Sequence, residues 1–223
     1  MTIEAVVALK TLSQSKRRLS AVLNDSQRCD LVEAMAHDVL SCLMTHPEID
    51  TVHAVCGEGW SRSAFPEGPL MVWQEAASEG GGLVAAYEMI AVKTAAERLL
   101  FIHADLPFLG QEDISALIAA SRDHHAVLSP DLIETGTNAV LRWRHQSLPL
   151  CFGEDSFARH QQAAKATETP WRVVRASGVE RDVDEPGDLG RLDGNDPRLG
   201  EATARWSADA GANVSLSATH RAC

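Results

Sequence analysis

The chain has 223 residues, 45% of them hydrophobic, which is enough to bury one sizeable core and suits one large domain better than two. Its formal net charge of −11 argues against binding to nucleic acid or to an anionic membrane. The five cysteines include no C-x-x-C pair, which disfavours a zinc site or a disulfide framework, and no stretch approaches the ~20 apolar residues of a membrane span. We therefore expect a cytoplasmic protein that binds neither nucleic acid nor membrane.

Short apolar runs alternate along the chain with longer segments of helical periodicity. The runs predicted as strands are, in chain order, residues 3–9, 51–56, 70–73, 99–103, 126–129, 139–143 and 171–176. The segments predicted as helices lie at about 26–44, from the Gly80–Gly82 triplet to about 97, and at 114–120. This alternation of strands with helices indicates an α/β fold with a parallel or mixed sheet.

The first predicted helix and the end of the chain differ in their patterning. The helix has one apolar stripe, formed by Leu31, Met35, Val39 and Cys42. Either Asp25 or Ser26 can cap its start. Residues 194–223 are instead rich in Ala, Ser, Gly, Asn and Asp and lack a clear period. The sequence therefore predicts one folded domain over residues 1–193 and a loosely packed or disordered tail over 194–223.

An acidic residue, Asp105, follows the predicted strand at 99–103 almost directly. It is therefore expected at the carboxyl edge of the sheet, where open α/β sheets bind ligands. An Asp there can bind magnesium, which prefers oxygen ligands and often bridges to substrate phosphates. The alternative is that Asp105 only caps the next turn.

A second acidic motif is Asp182-Val183-Asp184. In an extended segment alternate residues point the same way, so both carboxylates would face one side and repel each other unless a cation lay between them. The alternative is a helix N-cap, since Asp184-Glu185-Pro186 is typical of a helix start. If Asp105 lies nearby, two metal ions could clamp the attacking and leaving oxygens of a phosphoryl transfer.

A basic loop, Lys10 to Leu19, follows the first strand and contains four positive charges. Positive groups and backbone amides at such a turn are what a triphosphate needs. The loop contains no glycine and is not a Walker A loop. A solvated run of charge is the alternative.

Two further segments carry groups that could bind an anion. Thr135–Asn138 combines small hydroxyl and amide groups with a glycine, although an ordinary turn is more common. Phe152–Phe157 leads into a helix with Ser156 near its N-terminus, where the alternative is a simple N-cap. His160, one turn further, either faces the same site or is structural. His37 and His103 are predicted to be packing positions.

Six motifs occur along the chain in a fixed order. They are Val7–Lys10 with Lys16–Leu19, Ala104–Pro107, Ser129–Asp131, Thr135–Asn138, Phe152–Gly153 with Ser156–His160, and Asp182–Leu189. The ordered set resembles the phospholactate guanylyltransferase family of deazaflavin (coenzyme F-420) biosynthesis, which is related to the molybdenum-cofactor guanylyltransferases. The resemblance covers residues 6 to about 192. It implies a Rossmann-like nucleotidyltransferase fold, with a mostly parallel mixed sheet and helices on both faces, over the domain at 1–193.

The resemblance also implies three groups of site residues. The family's magnesium-binding acids match Asp105, Asp182 and Asp184. Its nucleotide-binding positions match Leu9, Lys10 and Lys16. The positions that bind the phosphorylated acid match Thr137, Gly153 and Ser156. Of these, Asp105 and Lys16 are the implied catalytic residues.

The implied reaction transfers GMP from GTP, with magnesium, to the phosphate of a small phosphorylated hydroxy acid and releases pyrophosphate. The family's acceptors are 2-phospho-L-lactate, phosphoenolpyruvate and 3-phospho-D-glycerate, and these residues do not select among them. The rivals are a molybdenum-cofactor or sugar-phosphate nucleotidyltransferase and a non-catalytic nucleotide-binding protein. A homodimer is one option for assembly. Val84 and Glu134 depart from the family pattern, which puts one polar contact and the shape of the acid pocket in question.

Overall fold

The computed structural model describes residues 1–74 and 82–209, arranged as strands alternating with helices. Its strands are β1 (Ile3–Leu9), β2 (Thr51–Cys56), β3 (Leu70–Gln74), β4 (Arg98–Ile102), β5 (Ala126–Pro130), β6 (Thr137–Trp143) and β7 (Trp171–Val173). Its helices are α1 (Asp25–Thr45), α2 (Leu83–Lys93), α3 (Gln111–Ala120) and α4 (Ser156–Ala166), and residues 201–209 are also helical. No helix in this part of the chain is long and apolar enough to cross a membrane.

The seven strands form one mixed sheet in the order β3-β2-β1-β4-β6-β5-β7. Strand β1 is parallel to β2 and β4, β2 is parallel to β3, and β5 is parallel to β7. Strand β6 runs antiparallel to both of its neighbours, with Ala139 opposite Ile102. Because of this reversal, the start of β6 lies at the same edge of the sheet as the end of β4. The predicted mixed, mostly parallel α/β sheet is confirmed.

The core lies on both faces of the sheet. Ala5 and Val7 of β1 pack on one face with residues of α1 and α3, whereas Val6 packs on the other face with residues of α2 and α4. Strands buried on both faces read as continuous apolar runs, which explains why such runs in the sequence predict them. Helices therefore cover both faces, as the resemblance implies.

Some element boundaries differ from the predictions. Helix α1 is capped by Asn24, whose side chain accepts from the backbone N–H of Gln27, rather than by Asp25 or Ser26. Helix α2 ends at Lys93 rather than near 97, because Thr94 takes an extended conformation and Arg98 already begins β4. Strand β7 is three residues long and ends at Val173. Gly80 and Gly81 of the glycine triplet lie outside the described residues.

Part of the segment predicted as a loose tail is packed. Leu199 and Thr203 are buried, and residues 201–209 form a helix. Asp38 of α1 accepts hydrogen bonds from the backbone N–H groups of Ala202 and Thr203, at 2.9 and 2.8 Å, and from the Thr203 hydroxyl. A carboxylate at a helix start satisfies amides that lack a partner within the helix. The prediction of loose packing is therefore wrong for residues 199–209, while residues 210–223 lie outside the description and the division into two regions stays a prediction.

Candidate active site

A cavity of about 820 Å³ opens at the carboxyl edge of β1 and β4. Its walls include all nine site residues that the sequence predicts, namely Leu9, Lys10, Lys16, Asp105, Thr137, Gly153, Ser156, Asp182 and Asp184. The individual role of each residue stays a prediction. These residues come from five separate segments of the chain, and the order of the strands in the sheet brings those segments to one edge.

Strand ends account for most of this convergence. Strand β1 ends at Leu9 and strand β4 ends three residues before Asp105, so both deliver their following loops to the same edge. The reversed strand β6 begins there with Thr137. The segment with Asp182 and Asp184 returns to this edge because the Val183 N–H donates to the Asp105 carbonyl at 3.2 Å and the Val183 side chain is buried.

Lys16 lies between two of the predicted metal-binding acids. Its ammonium donates to the carboxylate of Asp105 and, at 2.5 Å, to Oδ1 of Asp184. Burial lowers the pKa of Lys16, but the charges of the two carboxylates outweigh burial and the net shift is upward. Burial would likewise raise the pKa of Asp105, yet Lys16 lowers that pKa to about 2. Lys16 and Asp105 are therefore both charged at neutral pH.

Asp182 adds a third carboxylate to the group around Lys16. Burial, followed by the charges of Asp105 and Asp184, raises the pKa of Asp182 to about 6. The amide of Asn138 donates to Asp182 at 3.4 Å. Three carboxylates thus face one ammonium, and a further cation would relieve their repulsion.

A finished metal cage is absent from the described residues, since no three His, Cys, Asp or Glu side chains there converge as ready ligands. Oδ1 of Asp105 is nevertheless buried and has no hydrogen-bond partner within residues 1–74 and 82–209. Magnesium is commonly bound by one or two carboxylates, with water and phosphate oxygens as its other ligands. The excess of carboxylate charge and this unpaired oxygen therefore fit magnesium arriving with a phosphorylated substrate.

Arg28 of α1 fixes the loop that carries Lys16, and the sequence reading missed it. Its Nη1 donates to the Ser15 carbonyl at 2.7 Å and its Nη2 donates to Asp25 at 2.6 Å. Lys16 itself has a left-handed backbone, with φ of 51°. The sequence feature that could have identified Arg28 is its position one turn before Leu31, on the apolar stripe of the helix. A charged residue there needs a buried partner.

His103 and His37 were both predicted to be packing positions. His103 packs against Phe152, with ring centroids 5.2 Å apart, but it also lines the cavity and its Nε2 has no partner among the described residues. Burial lowers its pKa, so the ring is neutral at neutral pH. His37 is partly exposed on α1, with Nδ1 3.4 Å from the Ser41 hydroxyl. The packing interpretation is therefore incomplete for His103.

The residues predicted to bind the acceptor are neutral, and the acids Asp131, Glu154 and Asp155 line the cavity beside them. Thr137 and Ser156 are almost fully buried, and Ser156 is the first residue of α4. Gly153 has φ of +116°, a conformation that favours glycine, and a Cβ there would meet only the tip of Arg159, at 3.9 Å. At the start of α4 the N–H groups of Ser156 and Phe157 already donate to the carbonyls of Gly153 and Thr135, so the helix offers an anion its dipole and the Ser156 hydroxyl rather than free amides. This wall can therefore bind an anionic group without a charged side chain.

The two departures from the family pattern lie away from the cavity walls. Glu134 is at the tip of the loop between β5 and β6 and forms an ion pair with Arg175 at 2.6 Å. Val84 packs against the core cluster that contains Tyr87, whereas its neighbour Leu83 lines the cavity. Neither change removes a group from the described walls.

Comparisons with known proteins agree with this geometry. The family model described as "Guanylyl transferase CofC like" matches residues 3–203. A phosphoenolpyruvate guanylyltransferase of Sphaerobacter thermophilus is 34% identical, over 88% of this chain and 95% of that protein. A 3-phospho-D-glycerate guanylyltransferase of Phenylobacterium zucineum is 29% identical, over 83% of this chain and 87% of its own length.

A solved structure supports the fold. A protein of Desulfovibrio desulfuricans described as a nucleotide-diphospho-sugar transferase superposes with a TM-score of 0.73 over 94% of this chain and 96% of that chain, at 14% identity. The sheet, the cavity and these likenesses identify the fold as that of the nucleotidyltransferases. The chain belongs to the CofC-like guanylyltransferase family and is a nucleotidyltransferase.

Proposed function

We propose that this enzyme transfers GMP from GTP to the phosphate of a small phosphorylated hydroxy acid and releases pyrophosphate, in deazaflavin coenzyme F-420 biosynthesis. The observation that carries the proposal is the pairing of two unlike walls in one cavity. One wall has Lys16 among three carboxylates, and the other has buried neutral donors at the start of α4. A triphosphate with its metal suits the first wall, and a small anion suits the second.

The proposed reaction does not need a strong general base. The nucleophile is an oxygen of the acceptor's phosphate, which is already an anion, and it attacks the α-phosphorus of GTP in line with the departing pyrophosphate. Catalysis then depends on positioning and on neutralising charge. Lys16 contributes a permanent positive charge on the nucleotide side, and Thr137, Gly153 and Ser156 orient the acceptor.

Magnesium is part of the proposal. Asp105, Asp182 and Asp184 are the residues that would bind it, through carboxylate oxygens. When bound, the ion would reduce the repulsion between the two phosphate groups that must approach each other.

The proposed acceptor is a member of the set phosphoenolpyruvate, 3-phospho-D-glycerate and 2-phospho-L-lactate. A relative named for phosphoenolpyruvate is 34% identical to this chain and one named for 3-phospho-D-glycerate is 29% identical, so the relatives do not select one acceptor. A cytoplasmic location and a homodimer stay predictions.

The test is a substrate panel. Each of the three acids is supplied with GTP, ATP or CTP, with magnesium or with a chelator, and pyrophosphate release is measured while the product is identified by mass. We expect release with GTP, magnesium and at least one acid, and a product heavier than that acid by one GMP unit. A molybdopterin or sugar phosphate accepted in place of all three acids would support the rival enzyme. Nucleotide binding without turnover on any acceptor would support a non-catalytic protein.

A further inference from the structure

His160 lies directly behind Thr137 and both of its ring nitrogens have partners. The ring is fully buried on α4 and is absent from the cavity wall that Thr137 helps to form. Its Nε2 lies 2.9 Å from the backbone nitrogen of Cys151, and its Nδ1 lies 3.1 Å from the Thr137 hydroxyl oxygen. The edge of the ring packs against Phe152, with centroids 5.1 Å apart and planes at 76°, so its orientation is fixed.

These partners determine where the proton of the ring lies. A backbone N–H can only donate, so Nε2 must accept from Cys151 and cannot carry a proton. Burial lowers the pKa of His160 to about 4. The ring is therefore neutral at neutral pH, and its one proton is on Nδ1.

The tautomer in turn decides what the Thr137 hydroxyl can do. A protonated Nδ1 donates to the Thr137 oxygen and leaves that oxygen's own hydrogen free. The Thr137 hydroxyl has no other hydrogen-bond partner within residues 1–74 and 82–209, and Thr137 lines the cavity. Its hydrogen is thus available to a ligand in the cavity. The opposite tautomer would turn the hydroxyl toward His160 and present only lone pairs to an anion.

We propose that His160 is a positioning residue that makes the Thr137 hydroxyl a hydrogen-bond donor to an anionic oxygen of the acceptor. This inference rests on the proposed function, because it needs an anionic acceptor at Thr137. It explains how a wall without a basic side chain can select an anion, and why a histidine is buried where it touches no ligand.

The first test is spectroscopic and needs no turnover. Nitrogen NMR of protein labelled at the histidine rings should show His160 with Nδ1 protonated and Nε2 unprotonated, without titration between pH 8 and about 5. Assignment uses the loss of these signals in His160→Phe, or in His160→Gln if the first variant does not fold. A ring protonated at Nε2, or a titration midpoint near the ordinary value of about 6.5, would overturn the inference.

The second test is kinetic. Thr137→Val removes the donor while keeping its shape, and should raise the Michaelis constant for the acceptor roughly 10- to 150-fold, the usual cost of a hydrogen bond to a charged group. The constant for GTP should stay within about threefold, and Thr137→Ser should retain most acceptor affinity. His160→Phe should resemble Thr137→Val, and the double variant should be no worse than Thr137→Val alone. Additive losses in the double variant, or an unchanged acceptor constant in Thr137→Val, would count against the proposal.

A matched control separates positioning from general damage. His46 is also buried, and its Nε2 lies 2.9 Å from the hydroxyl of Ser115, away from the cavity walls. His46→Phe should lower thermal stability without changing the acceptor constant. Should turnover be missing altogether, calorimetry with phosphoenolpyruvate replaces the Michaelis constant. Binding that weakens in Thr137→Val supports the inference even though the proposed function fails, and wild-type protein that binds no acceptor overturns both.

Discussion

The two walls of the cavity differ in physical character. The wall that we assign to the nucleotide has Lys16 and Asp105 on loops that follow β1 and β4, and Asp182 and Asp184 on the segment after β7. Charges within this group shift the pKa values of Lys16, Asp105 and Asp182. The acceptor wall has almost fully buried neutral groups at the starts of β6 and α4, with Thr137 and His160 in hydrogen-bond contact. The first arrangement responds to added charge, whereas the second depends on the direction of single hydrogen bonds. Substitutions should therefore affect the walls unequally.

The largest expected effect is on the charged wall. Asp105→Asn keeps the size of the side chain but removes a negative charge that pairs with Lys16. We also propose that this carboxylate binds magnesium. Turnover should fall at least about a hundredfold, the lower range for loss of a key electrostatic group, with the fold retained by circular dichroism. Glu185→Gln is the matched control, because Glu185 is an exposed acid on the same side that pairs with Arg18 at 3.5 Å. Near-normal turnover in Asp105→Asn would show that the metal assignment is wrong.

Gly153→Val should disrupt acceptor binding at the second wall. A branched side chain is strained at φ of +116°, and the Cβ position has only the tip of Arg159 within 4 Å, so the added side chain would occupy open space at the cavity wall. The strain costs about 1–3 kcal/mol of stability. The side chain itself should exclude the acceptor, so acceptor binding should be lost while GTP binding stays largely intact. Calorimetry with GTP and steady-state titration of the acceptor separate the two effects, and Gly153→Ala should be milder. Loss of GTP binding with acceptor binding retained would mean that the walls are assigned the wrong way round.

The pH dependence of stability tests whether His160 is buried and neutral behind the acceptor wall. The pKa of His160 is lowered to about 4 in the folded protein, against about 6.5 when unfolded, so the unfolded state binds the extra proton between these values. Stability should be fully present above pH 6.5 and should fall by about 3 kcal/mol as the pH drops toward 4. Urea unfolding at a series of pH values should show this loss in the wild type, and a shallower loss in His160→Phe. Equal slopes in the two proteins would mean that His160 titrates normally.

The smallest kinetic effect is expected away from both walls. Asp38→Ala removes the three hydrogen bonds that attach the helix at 201–209 to α1. Stability should fall by about 2 kcal/mol, in the range for hydrogen bonds to a charged group, while both Michaelis constants stay near normal. A chain ending at residue 193 should lose more stability than one ending at 209, since Leu199 and Thr203 are removed as well. A kinetic defect in Asp38→Ala would connect this helix to the cavity.

The sequence predicted the sheet well because β1, β2, β4, β5 and β6 are buried on both faces and read as apolar runs. Two of the predictions from the sequence were wrong, one because it depends on a contact between distant parts of the chain and one because several neighbouring residues could cap α1. The start of the packed C-terminal segment depends on Asp38, which is 164 residues from Ala202 along the chain. The cap of α1 moved to Asn24 because the capping box pairs it with Gln27, a choice that the neighbouring Asp25 and Ser26 obscure.

By itself the sequence determined the fold class, the family resemblance and, through that resemblance, nine of the residues that line the cavity. An acid after a buried strand and a serine at a helix start are local patterns. Only the tertiary structure decided which of them touch. Lys16 contacts acids 89 and 168 residues away, and Asn138 and Thr137 reach the site only because β6 is reversed beside β4. The contacts of His160 with Thr137 and of His103 with Phe152 also depend on tertiary packing. Strand order and packing bring together groups that are far apart in the sequence. The periodicity of a single segment does not predict such contacts.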